Sequence, residues 1–390
     1  MKAVLSYFAV LTAAVGYMLL FDHSAGGMMT VFLIVVPVIS IILTLIARKR
    51  IEFDVIVPGD VLKKKKKDRI IVTAKKNIFL PVPIVSFEVK TSERIAPLKY
   101  NVYRFSMSEN RKISVDIDIV PEICGIAEVD VTRMYITDYL GIFRFKINNE
   151  TINRKIYIIP DIYEIEDSGE VLRSIYSTLP DNDDDDDAQP VWGKASFPGF
   201  EYRAYIPGDS PKKINWKLSS KKQQLFVRID ESSGMTRPDI IIDINKSETG
   251  QADSYQSALN EETIIEGALS MLMLCVNHGI ECTFSYYTED RREKDIILSV
   301  DDVEREALKM SKVIFSPSGK LSDGRESSKS NDVSIVYTSD VSQNIIDSVE
   351  NAQLNGNSMK VIIPESCMDF NTELNDLWII DESHAIKRVC

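Results

Sequence analysis

Two long apolar runs open the chain, Ala3–Phe21 and Met28–Ala47. Each is about the 20 residues a helix needs to cross a bilayer. From Ile51 to about Pro160 the pattern switches to alternation with period two. It is clearest over Ile51–Val57, Arg69–Ala74, Ile84–Lys90, Tyr100–Ser106, Lys112–Val120, Ala127–Thr137 and Lys155–Ile159. Strands at short, turn-separated spacing with no helical period predict an antiparallel β-sandwich over 51–160.

From residue 236 onward strands and helices alternate. Asp239–Ile244 reads as a buried strand, and Tyr255–His278 as a long helix closed by Gly279. A glycine there suits a left-handed cap. Glu281–Tyr287 and Asp295–Val300 read as strands, Asp302–Phe315 as a helix and Ser316–Asn331 as a flexible loop. Asp332–Thr338 is a strand, Ser342–Asn355 a helix capped by Ser342, and Lys360–Pro364 a further strand. This succession implies a mostly parallel, doubly wound sheet in an α/β domain over 236–390.

Between these parts lies 161–196, an acidic linker carrying Asp183–Asp187 between Pro180 and Pro190. Charges of one sign at that density repel, which predicts a disordered insertion. It lacks the interior glycine and terminal glutamate of a calcium loop. The segment 197–235 follows. Within it Glu201–Ile206 alternates as a short strand, and Ile206-Pro207-Gly208-Asp209 reads as a type II turn. Ser210-Pro211 starts a helix, a capping hydroxyl before a proline at the first helical position. That helix is expected to reach about Ser220, with Ile214 and Trp216 packed beneath it. Leu225-Phe226-Val227 is the next strand.

Charge sets the topology. The turn between the apolar runs carries no lysine or arginine, whereas the outer flanks carry Lys2 and Arg48-Lys49-Arg50. The positive-inside rule places both flanks in the cytoplasm, giving a two-helix transmembrane hairpin with soluble domains inside. If the first run is instead a signal peptide, the second still leaves Arg48 onward inside. The five cysteines have no metal-type spacing, and their odd number fits a reducing compartment. A net charge of −12 argues against nucleic acid as a partner. The run Lys63–Lys67 has two readings, contact with anionic lipid or a solvated β-turn.

The run Tyr202-Arg203-x-Tyr205-x-Pro207-Gly208-Asp209-x-Pro211-Lys212-Lys213-Ile214-Asn215-Trp216-Lys217 resembles the signature of the domain-of-unknown-function 58 (DUF58) family of bacterial membrane proteins. Lys212 or Lys213 stands where that family has arginine, and Asn215 where it has aspartate. The stretch Asp138-Tyr139-Leu140-Gly141-Ile142-Phe143 is similar to a second recurring corner of the family, although backbone geometry alone explains its glycine. The strand–helix order after the signature resembles a von Willebrand factor A-type domain. The resemblance implies a plasma-membrane protein that works with a MoxR-type AAA+ ATPase.

Ligands of such sheets sit at the carboxyl ends of strands. Asp243, Asn245 and Ser247 resemble the Asp-x-Ser-x-Ser metal-adhesion motif, and Asp340 offers a second carboxylate for Mg²⁺. Asn245 replaces the first serine, Lys246 puts a cation in the loop, and Thr288 is the nearest candidate threonine, so the site reads as degenerate. Lys212, Lys213, Lys217 and Lys221 form a basic face for an acidic partner, or an ordinary solvated one. Arg203, Tyr205, Pro207, Gly208, Asp209, Ile214 and Trp216 read as structural. Cys282 and His278 are close in sequence, but a helix end and an apolar strand separate their roles, and core packing is the reading for Cys282. No catalytic constellation or phosphate-binding glycine loop is present. Three functional classes follow: an interaction protein rather than an enzyme, a metal-dependent ligand binder, and an enzyme without a recognisable motif.

The topology has a direct check. In intact cells, a cysteine at Ser24 is expected to react with a membrane-impermeant thiol reagent, and one within Asp183–Asp187 is not. Labelling of the acidic segment from outside would reverse the cytoplasmic assignment.

Overall fold

The computed structural model describes residues 2–21, 23–57, 59–108, 111–147, 151–165, 196–205, 214–232, 237–244, 255–288, 291–315, 333–341, 343–355, 357–368, 377–381 and 384–389. The chain forms two compact units, Met1–Ile159 and Pro160–Cys390. The acidic run Asp183–Asp187, the turn residues Pro207, Gly208 and Asp209, Lys212 and Lys213, Asn245 and Ser247, and the loop 316–331 lie outside the described residues.

The first unit begins with α1 (Lys2–Leu20) and α2 (His23–Arg48). α2 is long and apolar enough to cross a membrane, whereas the apolar part of α1, Val4–Leu20, is shorter. The helices touch: the Tyr7 hydroxyl donates to the Leu33 carbonyl. A Cβ at Gly26 would fall 2.4 Å from the Cα of Met18, so only glycine allows that approach.

Nine strands follow: β1 (Ile51–Ile56), β2 (Val61–Lys63), β3 (Asp68–Lys76), β4 (Val82–Thr91), β5 (Val102–Met107), β6 (Lys112–Ile119), β7 (Gly125–Thr137), β8 (Arg144–Lys146) and β9 (Ile152–Ile159). One sheet has the order β1-β3-β6, the other β2-β9-β7-β4-β5, with β8 pairing β7. Pairing is antiparallel except between β2 and β9. Residues of both sheets meet in one core, among them Val55, Ile70, Val72 and Ile117 facing Val85, Phe87, Val129 and Ile156. The period-two pattern found the seven longer strands. It missed β2 and β8, which at three residues each are too short to show a period.

α2 runs into this core. Ala47 is fully buried in it beside Ile51, and the Arg50 N–H donates to the Ala47 carbonyl at 3.0 Å. Higher on the helix, the Ser40 hydroxyl donates to the buried Asp138 carboxylate at 3.0 Å and accepts from the Tyr139 N–H at 3.1 Å. The N–H of Phe143 also bonds Asp138, at 2.7 Å. The corner between β7 and β8 is therefore wrapped around one carboxylate and fixed to α2. Lys63–Lys67 forms the turn between β2 and β3, with Lys65 at φ +57° and Lys67 paired with Asp118 at 2.9 Å.

In the second unit β10 (Ser196–Ala204) and β11 (Phe226–Ser232) form an antiparallel pair around α3 (Trp216–Lys222). The described helix begins at Trp216, and the expected Ser210-Pro211 cap lies outside the described residues. Ile214 bridges Val227, and the Asn215 N–H donates to the Phe226 carbonyl at 2.9 Å, so both residues are held extended. Asn215 is the N-cap, its side-chain oxygen accepting from the Leu218 N–H at 3.0 Å. Trp216, expected beneath the helix, is 66 % exposed. Ser219 makes the buried contact instead, accepting from the Phe226 N–H at 2.9 Å. Arg203 of β10 pairs with Val227 of β11, and Tyr205 donates its N–H to the Leu225 carbonyl.

The α/β part comprises β12 (Asp239–Asp243), α4 (Tyr255–Asn277), β13 (Cys282–Tyr287), β14 (Arg292–Ile297), α5 (Val300–Met310), β15 (Val333–Thr338), α6 (Gln343–Leu354), β16 (Ser358–Pro364), β17 (Leu377–Ile380) and β18 (Ile386–Arg388). They form one sheet of order β14-β13-β12-β15-β16-β17-β18, parallel except at its two edge strands. Gly267 brings α4 against Tyr337 and Ile380. Ile345 and Val349 of α6 pack on Val361 and Ile363. Tyr337 pairs with Ile362, whose side chain alternates with those of Val361 and Ile363. The two helices thus cover opposite faces, as the alternation of elements predicted. The edge strand expected over Asp295–Val300 lies three residues earlier, because Ser299 and Asp302 form a reciprocal capping box that starts α5 at Val300. The helix accordingly ends at Met310 rather than Phe315, which instead bridges Thr288.

Residues 160–165 belong to this unit. The buried Glu266 carboxylate on α4 accepts from the Asp161 N–H at 2.9 Å and lies 3.3 Å from Nε2 of His384. Tyr163 stacks on His384 at 4.1 Å and donates its N–H to Ser270 at 2.9 Å.

The start of α3 is open to mutation. Asn215→Ala is expected to cost about 1 kcal/mol in a denaturant melt. Trp216→Ala should stay within about 0.5 kcal/mol, as surface changes do. A loss of about 3 kcal/mol at Trp216 would restore a buried indole.

Candidate functional site at the carboxyl edge of the sheet

The parallel strands of the second unit end on one edge, where the chain leaves them in irregular backbone. Asp243 is the last residue of β12, buried and paired in register with Thr338 at the end of β15. Asp340 follows two residues later and is exposed. Two of the residues predicted from sequence, Asp243 and Asp340, are therefore on adjacent strand ends.

The neighbouring hydroxyls are committed. Oγ1 of Thr338 donates to the Asp340 carbonyl at 3.1 Å and accepts from its N–H at 3.3 Å. Thr288 is engaged in the same way with Arg291, at 2.9 and 3.4 Å, in the turn between β13 and β14. Mg²⁺ favours near-octahedral oxygen ligation. Of the four candidate ligands, Asp243 is buried, Asp340 is exposed, and Asn245 and Ser247 lie outside the described residues.

The same edge carries a cavity of about 470 Å³ between the start of α4 and the ends of β16 and β17. Asn260, Thr263, Ser366 and Asp381 line it with Leu259 and Pro364. The Ser366 hydroxyl donates to Oδ1 of Asn260 at 2.7 Å, and Nδ2 of Asn260 donates to Sγ of Cys367 at 3.0 Å. Burial pushes the Cys367 thiol up, the Ser366 hydrogen bond opposes this, and the charge of Asp340 adds to the rise. A raised thiol carries little thiolate at neutral pH. Asp381 is occupied within its own turn, accepting from the Ala385 N–H at 2.9 Å and from Lys387 at 3.0 Å. The cavity presents the hydrogen-bonding side chains of Asn260, Thr263 and Ser366 beside apolar Leu259 and Pro364.

Cys282 is fully buried in β13, and a hydrogen bond with Cys275 together with burial pushes its thiol far up. His278 lies at the exposed end of α4. The two share no contact among the described residues, and Cys282 packs in the core as its apolar strand indicated. Of the basic face, Lys217 and Lys221 are exposed on α3.

Asn260, Ser366, Cys367 and Asp381 were not foreseen as site residues. The signal was present, because Glu365–Cys367 and Asp381 directly follow strand ends. It was hidden because 377–388 shows no period long enough to reveal β17 and β18.

No protein-family model matches the chain, and no curated protein sequence does. Among solved structures, the CARDB domain of the PF1109 protein from Pyrococcus furiosus is 16 % identical, covering 28 % of this chain and 87 % of that one at a TM-score of 0.22. A fragment of alpha-2-macroglobulin from Escherichia coli is 11 % identical, covering 29 % of this chain and 17 % of that one at a TM-score of 0.25. A chain of the human complex of zinc 2-glycoprotein with prolactin-inducible protein is 10 % identical, covering 27 % and 91 % at a TM-score of 0.21.

Proposed function

We propose that this chain is a membrane-anchored interaction protein of the DUF58 kind, with soluble domains in the cytoplasm, that works with a MoxR-type AAA+ ATPase. The observation that carries the anchoring is the continuity of α2 with the sandwich. A helix long and apolar enough to cross a membrane ends with Ala47 fully buried in the core that β1 extends from Ile51. Such a joint holds a soluble domain at a fixed place on the bilayer. The second helix of a transmembrane hairpin is α1, and the von Willebrand factor A-like assignment is supported by a central parallel strand, β12, whose carboxyl end bears Asp243. An interaction role is supported by the carboxyl-edge cavity lined by Asn260, Thr263 and Ser366, where the hydroxyl of Ser366 donates to the amide oxygen of Asn260.

The basic surface of α3 is the proposed docking face. In the full chain in membranes, Lys217→Glu with Lys221→Glu should change stability by no more than about 0.5 kcal/mol. The same pair should reduce recovery of the ATPase, and rising salt should mimic it, because exposed charges are screened beyond about 8 Å at physiological ionic strength. Normal melting with undiminished ATPase recovery at every salt concentration would remove this face from the function.

Metal-dependent ligand binding at Asp243 is the second reading, favoured by the burial of that carboxylate on the sheet edge. The committed hydroxyls make it the weaker one. Millimolar Mg²⁺ is expected to leave the melting temperature unchanged. A site filled at 100 times its Kd would add about 2.7 kcal/mol. An upward shift that vanishes in Asp243→Ala would promote the metal reading.

A further inference from the structure

We propose that the first unit docks onto the bilayer through its own β-sandwich, with an apolar rim set into the acyl layer beneath a basic collar that holds anionic lipid headgroups. The proposal rests on the reading of α2 as a membrane anchor and adds a second, separately testable lipid contact.

The rim follows from depth. Ser40, which fixes the β7–β8 corner to α2, is eight residues before Arg48, or about 12 Å along the helix. With Arg48 at the headgroups, the corner lies on the hydrocarbon side of the boundary. Its side chains suit that place. Leu140 is 44 % exposed, and Leu140 and Ile142 line a groove with Val36 and Pro37 of α2. The Tyr139 hydroxyl donates to the Pro81 carbonyl and so ties the corner to the β3–β4 loop. That loop presents Phe79 at 92 % exposure. Exposed Phe79 and Leu140 on two loops tied by the Tyr139–Pro81 bond, the leucine beside an apolar helix, form a lipid-facing patch.

The collar lies where α2 enters the sandwich. The Asn77 N–H donates to the Arg50 carbonyl at 2.9 Å, and the Lys76 N–H to the Arg111 carbonyl at 2.8 Å. Lys75 pairs with Lys112 directly across β3 and β6. Arg48, Lys49, Arg50, Lys75, Arg111 and Lys112 thus converge at one end of the first sheet, and all but the half-buried Arg48 are exposed. Like charges directly opposite on a sheet destabilise it. Anionic headgroups would remove that cost, each basic residue contributing on the scale of the leaflet's surface potential. Glu52 is the acidic residue facing Lys75 from β1, and its carboxylate already accepts from Asn77 at 3.3 Å.

Collar and rim are one structure. Nζ of the buried Lys76 donates to the carbonyls of Leu80 at 3.1 Å, Met107 at 2.8 Å and Ser108 at 2.7 Å, so one side chain holds the Phe79 loop to the basic end.

The test uses the full chain, with Cys367 and Cys390 replaced by serine, in lipid nanodiscs. An environment-sensitive fluorophore is placed in turn at Val35→Cys, Phe79→Cys, Leu140→Cys and Lys65→Cys, and quenching by acyl-chain nitroxide lipid is read. Quenching is expected at Val35, Phe79 and Leu140 and not at Lys65. Quenching at Val35 alone overturns the rim and leaves the anchor, whereas quenching nowhere overturns both. For the collar, the melting temperature should be several degrees higher in discs containing phosphatidylglycerol than in phosphatidylcholine discs. Lys75→Gln with Lys112→Gln should abolish that difference without lowering the melt in phosphatidylcholine. Inorganic phosphate in place of the anionic lipid should not reproduce it. An equal rise in the double variant, or with free phosphate, overturns the collar as a headgroup site.

Discussion

The joint between α2 and the sandwich is the constraint on which the first unit depends. A helix end leaves backbone carbonyls without partners, and burying it demands that they be met. Here the chain turns at once from Ala47 into β1, the Arg50 N–H meets the Ala47 carbonyl, and β1 takes up pairing with β3. Ser40 and Asp138 supply a second fixed point higher on the helix. Two anchors along one rigid rod remove its freedom to swivel, so the orientation of the sandwich relative to α2 is set by the fold rather than by a linker.

Buried charge is used in both units to hold irregular segments in place. In the first, the ammonium of Lys76 gathers three carbonyls from two loops, and burial followed by the charge of Arg111 holds its pKa below the usual lysine range. In the second, the buried Glu266 carboxyl on α4 accepts the Asp161 N–H and lies 3.3 Å from Nε2 of His384. A buried polar group is costly without partners, which makes each of these groups specific for a single arrangement of its loops. Asp239 has the same role at the start of β12, held by Ser285 at 2.8 Å and Arg292 at 2.8 Å, with burial still dominating and pushing its carboxyl up.

The carboxyl edge of the α/β sheet gathers one set of polar side chains. Parallel strands align their carboxyl ends, and the connections there are free of the packing that fixes the rest of the sheet. Asp243, Thr338, Asp340, Asn260, Ser366 and Cys367 meet at that edge although more than a hundred residues separate the first from the last. The hydrogen bonds of Thr338, Asn260 and Ser366 run to neighbouring side chains and nearby backbone, which gives a shaped polar surface.

The sequence by itself determined the local periods: an apolar helix at 28–47, seven of the strands between 51 and 159, and the strand–helix alternation after 239. These follow from side-chain spacing within a few residues, and so they need no knowledge of distant partners. Three-residue strands escaped because no period fits in them, and the start of α3 at Trp216 escaped because the pairing of Ile214 with Val227 is a long-range contact. Placement of charge was decided only by the tertiary structure. Lys63–Lys67 is near the apolar helix in sequence, yet β3 carries it about 27 Å from the end where α2 enters, at about 3.4 Å per residue. Lys75, Arg111 and Lys112, far along the chain, take the place beside Arg50 because antiparallel pairing returns them there. Proximity in sequence is lost over one strand length, and register alone decides which charges become neighbours.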